Sequence, residues 1–163
     1  MFGAGARAKV FAYAATIFRR EERTMSADKN LTFVQDMYAA FARGDIAYVL
    51  TRIPDDCAEF GVIAAGPSAV PWHIPSRGKA GAATFFEALG GSVEYQVFEP
   101  RDYVASGDHV YVTIFHRMKI RATGEVMELK ETIHHIQFKD GKLARWVCSE
   151  DTKASHEAFA RSR

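Results

Sequence analysis

The sequence predicts an α+β fold: a cone-shaped α+β barrel in which a curved antiparallel sheet wraps on N-terminal helices. Two observations predict it. Through residue 89 the apolar residues mostly recur with the period of helices, whereas beyond it they alternate with period 2. The three longest strand candidates also follow one another across hairpin turns, which makes them antiparallel neighbours. At 163 residues, 48% hydrophobic and 25% charged, the chain suits one domain with a substantial core.

The elements follow in order. Residues 1–25 carry Arg7, Lys9, Arg19, Arg20 and Arg23 against Glu21 and Glu22, and the composition changes at Met25. Their apolar run, Val10 to Phe18, is too short to span a bilayer and precedes RREER rather than a small-residue cleavage site. We read 1–25 as a helical or frayed extension without assigned function and 26–163 as a single domain. Val34, Met37, Tyr38 and Phe41, spaced i, i+3, i+4 and i+7, predict a first helix capped by Ser26 or Asp28 and ended by Gly44. Asp45 caps a short second helix with Ile46, Val49, Leu50 and Ile53 on one face, and Pro54 stops it. A strand is expected at Cys57 to Ile63. Pro67, Pro71 and Pro75 make the next stretch a loop, and because it carries Trp72 and His73 it is expected to cover something.

A third helix is expected over Lys79 to Leu89, ended by Gly90 and Gly91. Val93, Tyr95 and Val97 then alternate, and a short strand follows Pro100 up to Ser106. The long candidates are His109 to Arg121, Val126 to Phe138 and Lys142 to Ser149, joined at Thr123-Gly124 and Asp140-Gly141. A last helix, Lys153 to Arg161, is expected to be capped by Asp151 or Thr152.

Composition excludes several function classes. With 21 basic against 20 acidic residues there is no footprint for a nucleic acid. No membrane partner is expected. Cys57 and Cys148 form neither a disulfide framework nor a zinc knuckle, which suits reduced thiols in a cytoplasmic protein. His134 and His135 are adjacent on a strand and point to opposite faces, so they do not chelate one ion; neither metal nor cofactor is expected.

Period-2 logic divides each long strand into two sets. On the first they are Val110, Val112, Ile114, His116 or Tyr111, Thr113, Phe115, Arg117; on the second, Thr132, His134, Ile136, Phe138 or Glu131, Ile133, His135, Gln137. Alternation alone does not say which set faces inward.

The order of elements, with the stretches YAAFARGD (38–45), RGKAGAATFFEAL (77–89), ATGEVMELKETIHHIQFKDGKLARW (122–146) and EDT (150–152), resembles the SnoaL-like branch of the nuclear transport factor 2-like superfamily. Its relatives include ketosteroid isomerase, polyketide cyclase and limonene epoxide hydrolase. The resemblance implies a cone with a hydrophobic pocket at its open end, commonly in a dimer. It places His134 where the isomerase has an oxyanion-binding aspartate and His116 where the hydrolase has a catalytic aspartate. Trp146, Cys148 and Glu150 match pocket-lining positions, Cys148 standing for a second hydrolase aspartate. The chain departs from both relatives: Gly61 stands at the isomerase's general base, Met37 at its tyrosine with Tyr38 one place off, and Ile114 at the hydrolase's arginine. Neither mechanism transfers unchanged.

The candidate catalytic set is therefore His134, His116 and Glu150, and the candidate ligand-binding set is Trp72, His73, Met37, Tyr38, Phe41, Ile114, Thr132, Trp146 and Cys148. A His134–Glu150 couple is expected to remove a proton beside a carbonyl while His116 donates to the developing enolate oxygen. The expected partner is a small hydrophobic, carbonyl-like ligand turned over by an isomerase-, cyclase- or hydrolase-type reaction; a non-catalytic ligand-binding or dimerisation domain is the alternative. Tyr111, Phe115, Ile133 and Val147 on the opposite face predict a homodimer packed sheet to sheet.

Overall fold

A computed structural model describes residue 16 and residues 26–64 and 68–161. The expected 1–25 extension, Thr16 apart, lies outside these described residues. Helix α1 covers 26–42, so Ser26 and Asp28, expected as caps, are already helical. Its buried stripe is Val34, Met37, Tyr38 and Ala40. It ends where expected: Gly44 takes φ +74°, and the Asp45 N–H returns to the Ala40 carbonyl. The side chain of Asp45 accepts the Tyr48 N–H and opens α2, Ile46–Thr51. Strand β1 is only Glu59–Val62.

Helix α3, Gly78–Ser92, runs through the two glycines expected to end it. Neither Gly90 nor Gly91 adopts positive φ, and the chain passes straight from Ser92 into β2, Val93–Ser106. Pro100 does not divide β2 either. The strand lies at the edge of the sheet and shifts register between Pro100 and Tyr103, so no interior ladder bond is lost to the missing N–H. β3 is His109–Ile120, β4 Val126–Lys139 and β5 Lys142–Ser149. The tight β4–β5 turn uses Asp140 and Gly141, both at positive φ. Asp151 accepts the Ala154 N–H and caps α4, Thr152–Ala160.

The sheet is curved and unclosed, in the order β1-β5-β4-β3-β2. All neighbours are antiparallel except β1, which runs parallel to β5 with Gly61 opposite Val147. Its concave face buries Val110, Val112, Ile114, His116, Met118 and Ile120 of β3. On β4 the parity of the buried residues changes along the strand: Met127 and Leu129 face inward, and so do Thr132, His134, Ile136 and Phe138. The cause is the irregularity between the Ile114–Thr132 and His116–Leu129 pairs, where Lys130 and Glu131 are both exposed.

On the outer face Tyr111 is 42% and Ile133 46% exposed, and Phe115 is half-buried beneath the Arg101 guanidinium. Val147 departs from the expectation of exposure: it is buried at 2%.

Candidate active site

A cavity opens between the concave sheet face and helices α1 and α3, with about 70 Å³ open to the centre of a water molecule. One water needs about 10–15 Å³ on that measure, so a small molecule fits. Met37, Tyr38 and Phe41 of α1, Trp72 of the loop, Thr132 and His134 of β4, Trp146 and Cys148 of β5, His116 of β3 and Glu150 after β5 all line it. Two expected contacts do not. Ile114 is fully buried in the core, and His73 sits behind Glu150 rather than on the cavity wall. The aromatic wall contains residues the sequence reading missed, above all Phe60, Phe86, Tyr95 and Phe98. Tyr95 belonged to a recognised alternating strand, but which of its faces looked inward depended on two register shifts in β2.

The polar groups divide into three arrangements. His134 Nδ1 lies 2.9 Å from the Tyr38 hydroxyl and 3.3 Å from Trp146 Nε1. An indole N–H only donates, so Nδ1 accepts and the proton of the neutral ring sits on Nε2. Burial, and then neighbouring His116, hold the ring's pKa well below the usual histidine range. His134 is thereby set up as a neutral donor, which is a different role from the base anticipated in a couple with Glu150.

Glu150 bonds elsewhere. Its Oε1 accepts from His73 Nε2 at 2.8 Å and from Ser155 Oγ at 2.8 Å. The carboxylate partner of the expected histidine couple is thus satisfied by the proline-rich loop and by α4. Since both contacts fall on Oε1, Oε2 is the oxygen left for a ligand.

His116 and Thr132 form the third arrangement. Both are buried, at 5% and 1% exposure, yet neither ring nitrogen of His116 nor Thr132 Oγ1 has a hydrogen-bond partner among the described residues. Buried polar atoms of this kind are rare in folded proteins and call for a partner. Tyr95 and Phe98 flank the His116 ring at centroid distances of 5.8 and 5.4 Å, and His134 lies 6.2 Å away. Burial lowers the His116 pKa to about 4, opposed by the charge of Glu150. Cys148 is an inert candidate, because burial first and Glu150 second push its thiol well up. His135 faces outward, bonded to His109 and Arg145, and among the described residues no group of three or more His, Cys, Asp or Glu converges as a metal site.

A helix-backed, half-wrapped sheet enclosing a cavity defines a class of α+β cone proteins. Residues 34–146 match the SnoaL-like domain, and the chain belongs to that family. Solved structures agree. An NTF2-like protein from Burkholderia xenovorans is 26% identical, with a TM-score of 0.67 over 83% of this chain and 96% of that one. TerC, co-crystallised with polyporic acid, is 24% identical, with a TM-score of 0.66 over 81% and 98% of the two chains. An LEH-like epoxide hydrolase from M. tuberculosis is 15% identical, with a TM-score of 0.62 over 83% and 92%. The search of curated proteins found no match. No helix among the described residues is long and apolar enough to cross a membrane.

Proposed function

We propose that this protein is an acid/base enzyme of isomerase or cyclase type that enolises a small, largely apolar carbonyl compound. The observation that carries the reading is the pair of orphaned side chains, His116 and Thr132, buried in an aromatic cavity that also presents Glu150. An apolar ligand alone would leave those polar atoms unsatisfied; a carbonyl oxygen supplies an acceptor for the Thr132 O–H and for the single N–H of neutral His116.

In this reading Glu150 Oε2 takes a proton from the carbon beside the carbonyl. The C–H electron pair moves into the new C=C bond, and charge collects on the oxygen. His134 Nε2–H, Thr132 O–H and a His116 N–H are the donors for that oxygen, and they act in surroundings from which water is largely excluded. Return of the proton to a different carbon gives an isomerase, and attack of the enolate on a second carbonyl gives a cyclase. The epoxide hydrolase among the structural neighbours is similar in fold at 15% identity, which carries no assignment of its reaction to this chain. The same proposal includes a homodimer formed through the outer sheet face around Tyr111 and Ile133.

The test needs no knowledge of the natural substrate. Hydrogen–deuterium exchange beside the carbonyl of acetophenone and cyclohexanone is followed by NMR in D2O. Wild type is expected to accelerate exchange, and Glu150→Gln to lose at least about 100-fold of that rate. Thr132→Val is expected to leave the free protein as stable or more so, because it removes an unpaired buried hydroxyl, while weakening binding of phenol as an enolate mimic. Exchange at the buffer rate for both ketones overturns the enzymatic reading, and phenol binding without exchange would favour a ligand-binding domain.

A further inference from the structure

The proline-rich loop does more than cover the cavity. Four side chains form one hydrogen-bond chain from it to the cavity wall. Ser68 Oγ lies 2.9 Å from His73 Nδ1, His73 Nε2 lies 2.8 Å from Glu150 Oε1, and Ser155 Oγ donates to that same oxygen at 2.8 Å. The side chains of His73 and Glu150 are 0% and 6% exposed, so water does not compete for the central bond.

Polarity fixes the direction of the chain. An ionised carboxylate only accepts, so the proton of the His73–Glu150 bond sits on Nε2; in the neutral ring Nδ1 is then bare and accepts the Ser68 O–H, while Ser68 Oγ accepts the Val70 N–H. Oε1 is then held by two donors, which leaves Oε2 uncommitted. The loop is anchored against α4 by the Ala69 N–H on His156 Nδ1 at 3.0 Å and by the edge contact of Trp72 with Phe159 at 5.2 Å. Trp72, from the same loop, lines the cavity.

We infer that His73 is a positioning residue for the base Glu150 and that Ser68, bonded to Nδ1, holds the ring in the orientation in which it performs that role. The inference rests on the proposed enolisation, in which Glu150 is the base. His73 does not touch the ligand. It acts by holding the carboxylate in one rotamer with one oxygen committed, so that the other meets the carbon acid without a search over orientations.

Two measurements test it on the full-length protein. In imidazole-labelled wild type, a long-range nitrogen–proton correlation spectrum is expected to show His73 protonated at Nε2 and bare at Nδ1. Ser68→Ala is expected to shift the His73 Nδ1 resonance as its hydroxyl donor is lost, lower the turnover of acetophenone hydrogen–deuterium exchange about tenfold and leave KM nearly unchanged. Ser68→Thr, which restores the hydroxyl, is expected to recover both signals. A wild-type His73 protonated at Nδ1 overturns the inference. So does a Ser68→Ala variant that exchanges at the wild-type rate while wild type is active, and in that case the enolisation reading stands. Absence of exchange in wild type removes the enolisation reading and this inference with it.

Discussion

An imidazole sealed from water without a partner is biased toward its neutral form, and His116 carries that bias into the stability of the fold. Burial lowers its pKa to about 4, whereas an unfolded chain holds histidine near about 6.5. Above about pH 6.5 both states are neutral and nothing is lost. As pH falls from about 6.5 toward about 4, the unfolded chain binds a proton that the folded one excludes, so stability declines by up to about 3 kcal/mol. His134 shifts in the same direction for the same first cause. The urea midpoint is therefore expected to drop between about pH 7 and about pH 5, and His116→Leu to flatten that slope. A midpoint independent of pH over this range would contradict the buried, neutral state. Of the polar candidates, the residue types were legible in sequence, but their partners were not. The expected partner of Glu150 is His134, whereas a loop residue 77 positions away, His73, takes it.

Among the elements, α3 and the turns beside it show why a glycine has to be read by its backbone rather than by its presence. Gly78 holds φ +62°, and a Cβ there would stand 2.4 Å from the Asp55 carbonyl oxygen. Gly90, inside the same helix, has ordinary helical geometry and open space where a Cβ would stand. Gly90→Ala is expected to stabilise the protein by about 0.5–1 kcal/mol, through lower unfolded-state entropy and better helix propensity. Gly78→Ala is expected to destabilise by more than that, since the clash is with backbone. Thermal melts of the two variants should move in opposite directions. The caps were the most readable part of this level: Asp45 and Asp151 each announce a helix start by a carboxylate three residues ahead of the N–H it accepts. The strand boundary at Pro100 was not, because edge position is a property of the sheet and not of the dipeptide.

At the scale of the molecule, the two faces of the sheet have different tasks. One wraps the cavity. The other carries Tyr111 stacked on His135 at 4.5 Å, with exposed Ile133 nearby, and this is the face through which we propose the dimer. Light scattering at micromolar concentration is expected to give twice the 18.2 kDa chain mass, and Tyr111→Lys with Ile133→Lys to return the monomer. A monomeric wild type would remove the dimer from the proposal and leave the cavity chemistry untouched. The family and the cone were readable from element order and from long stretches such as 122–146, and the SnoaL-like match over 34–146 agrees.

What the sequence determined alone was the succession of elements, their caps and turns, and the inventory of polar residues near the cone's interior. Those features follow from local rules: periodicity, proline and glycine geometry, and short-range capping. The tertiary structure decided which of two alternating sets faced inward, that β1 runs parallel to β5, and which acid meets which histidine. One irregular pair in a ladder reverses the facing of every residue beyond it, and a hydrogen bond between a loop and a strand end depends on distances that no local pattern encodes.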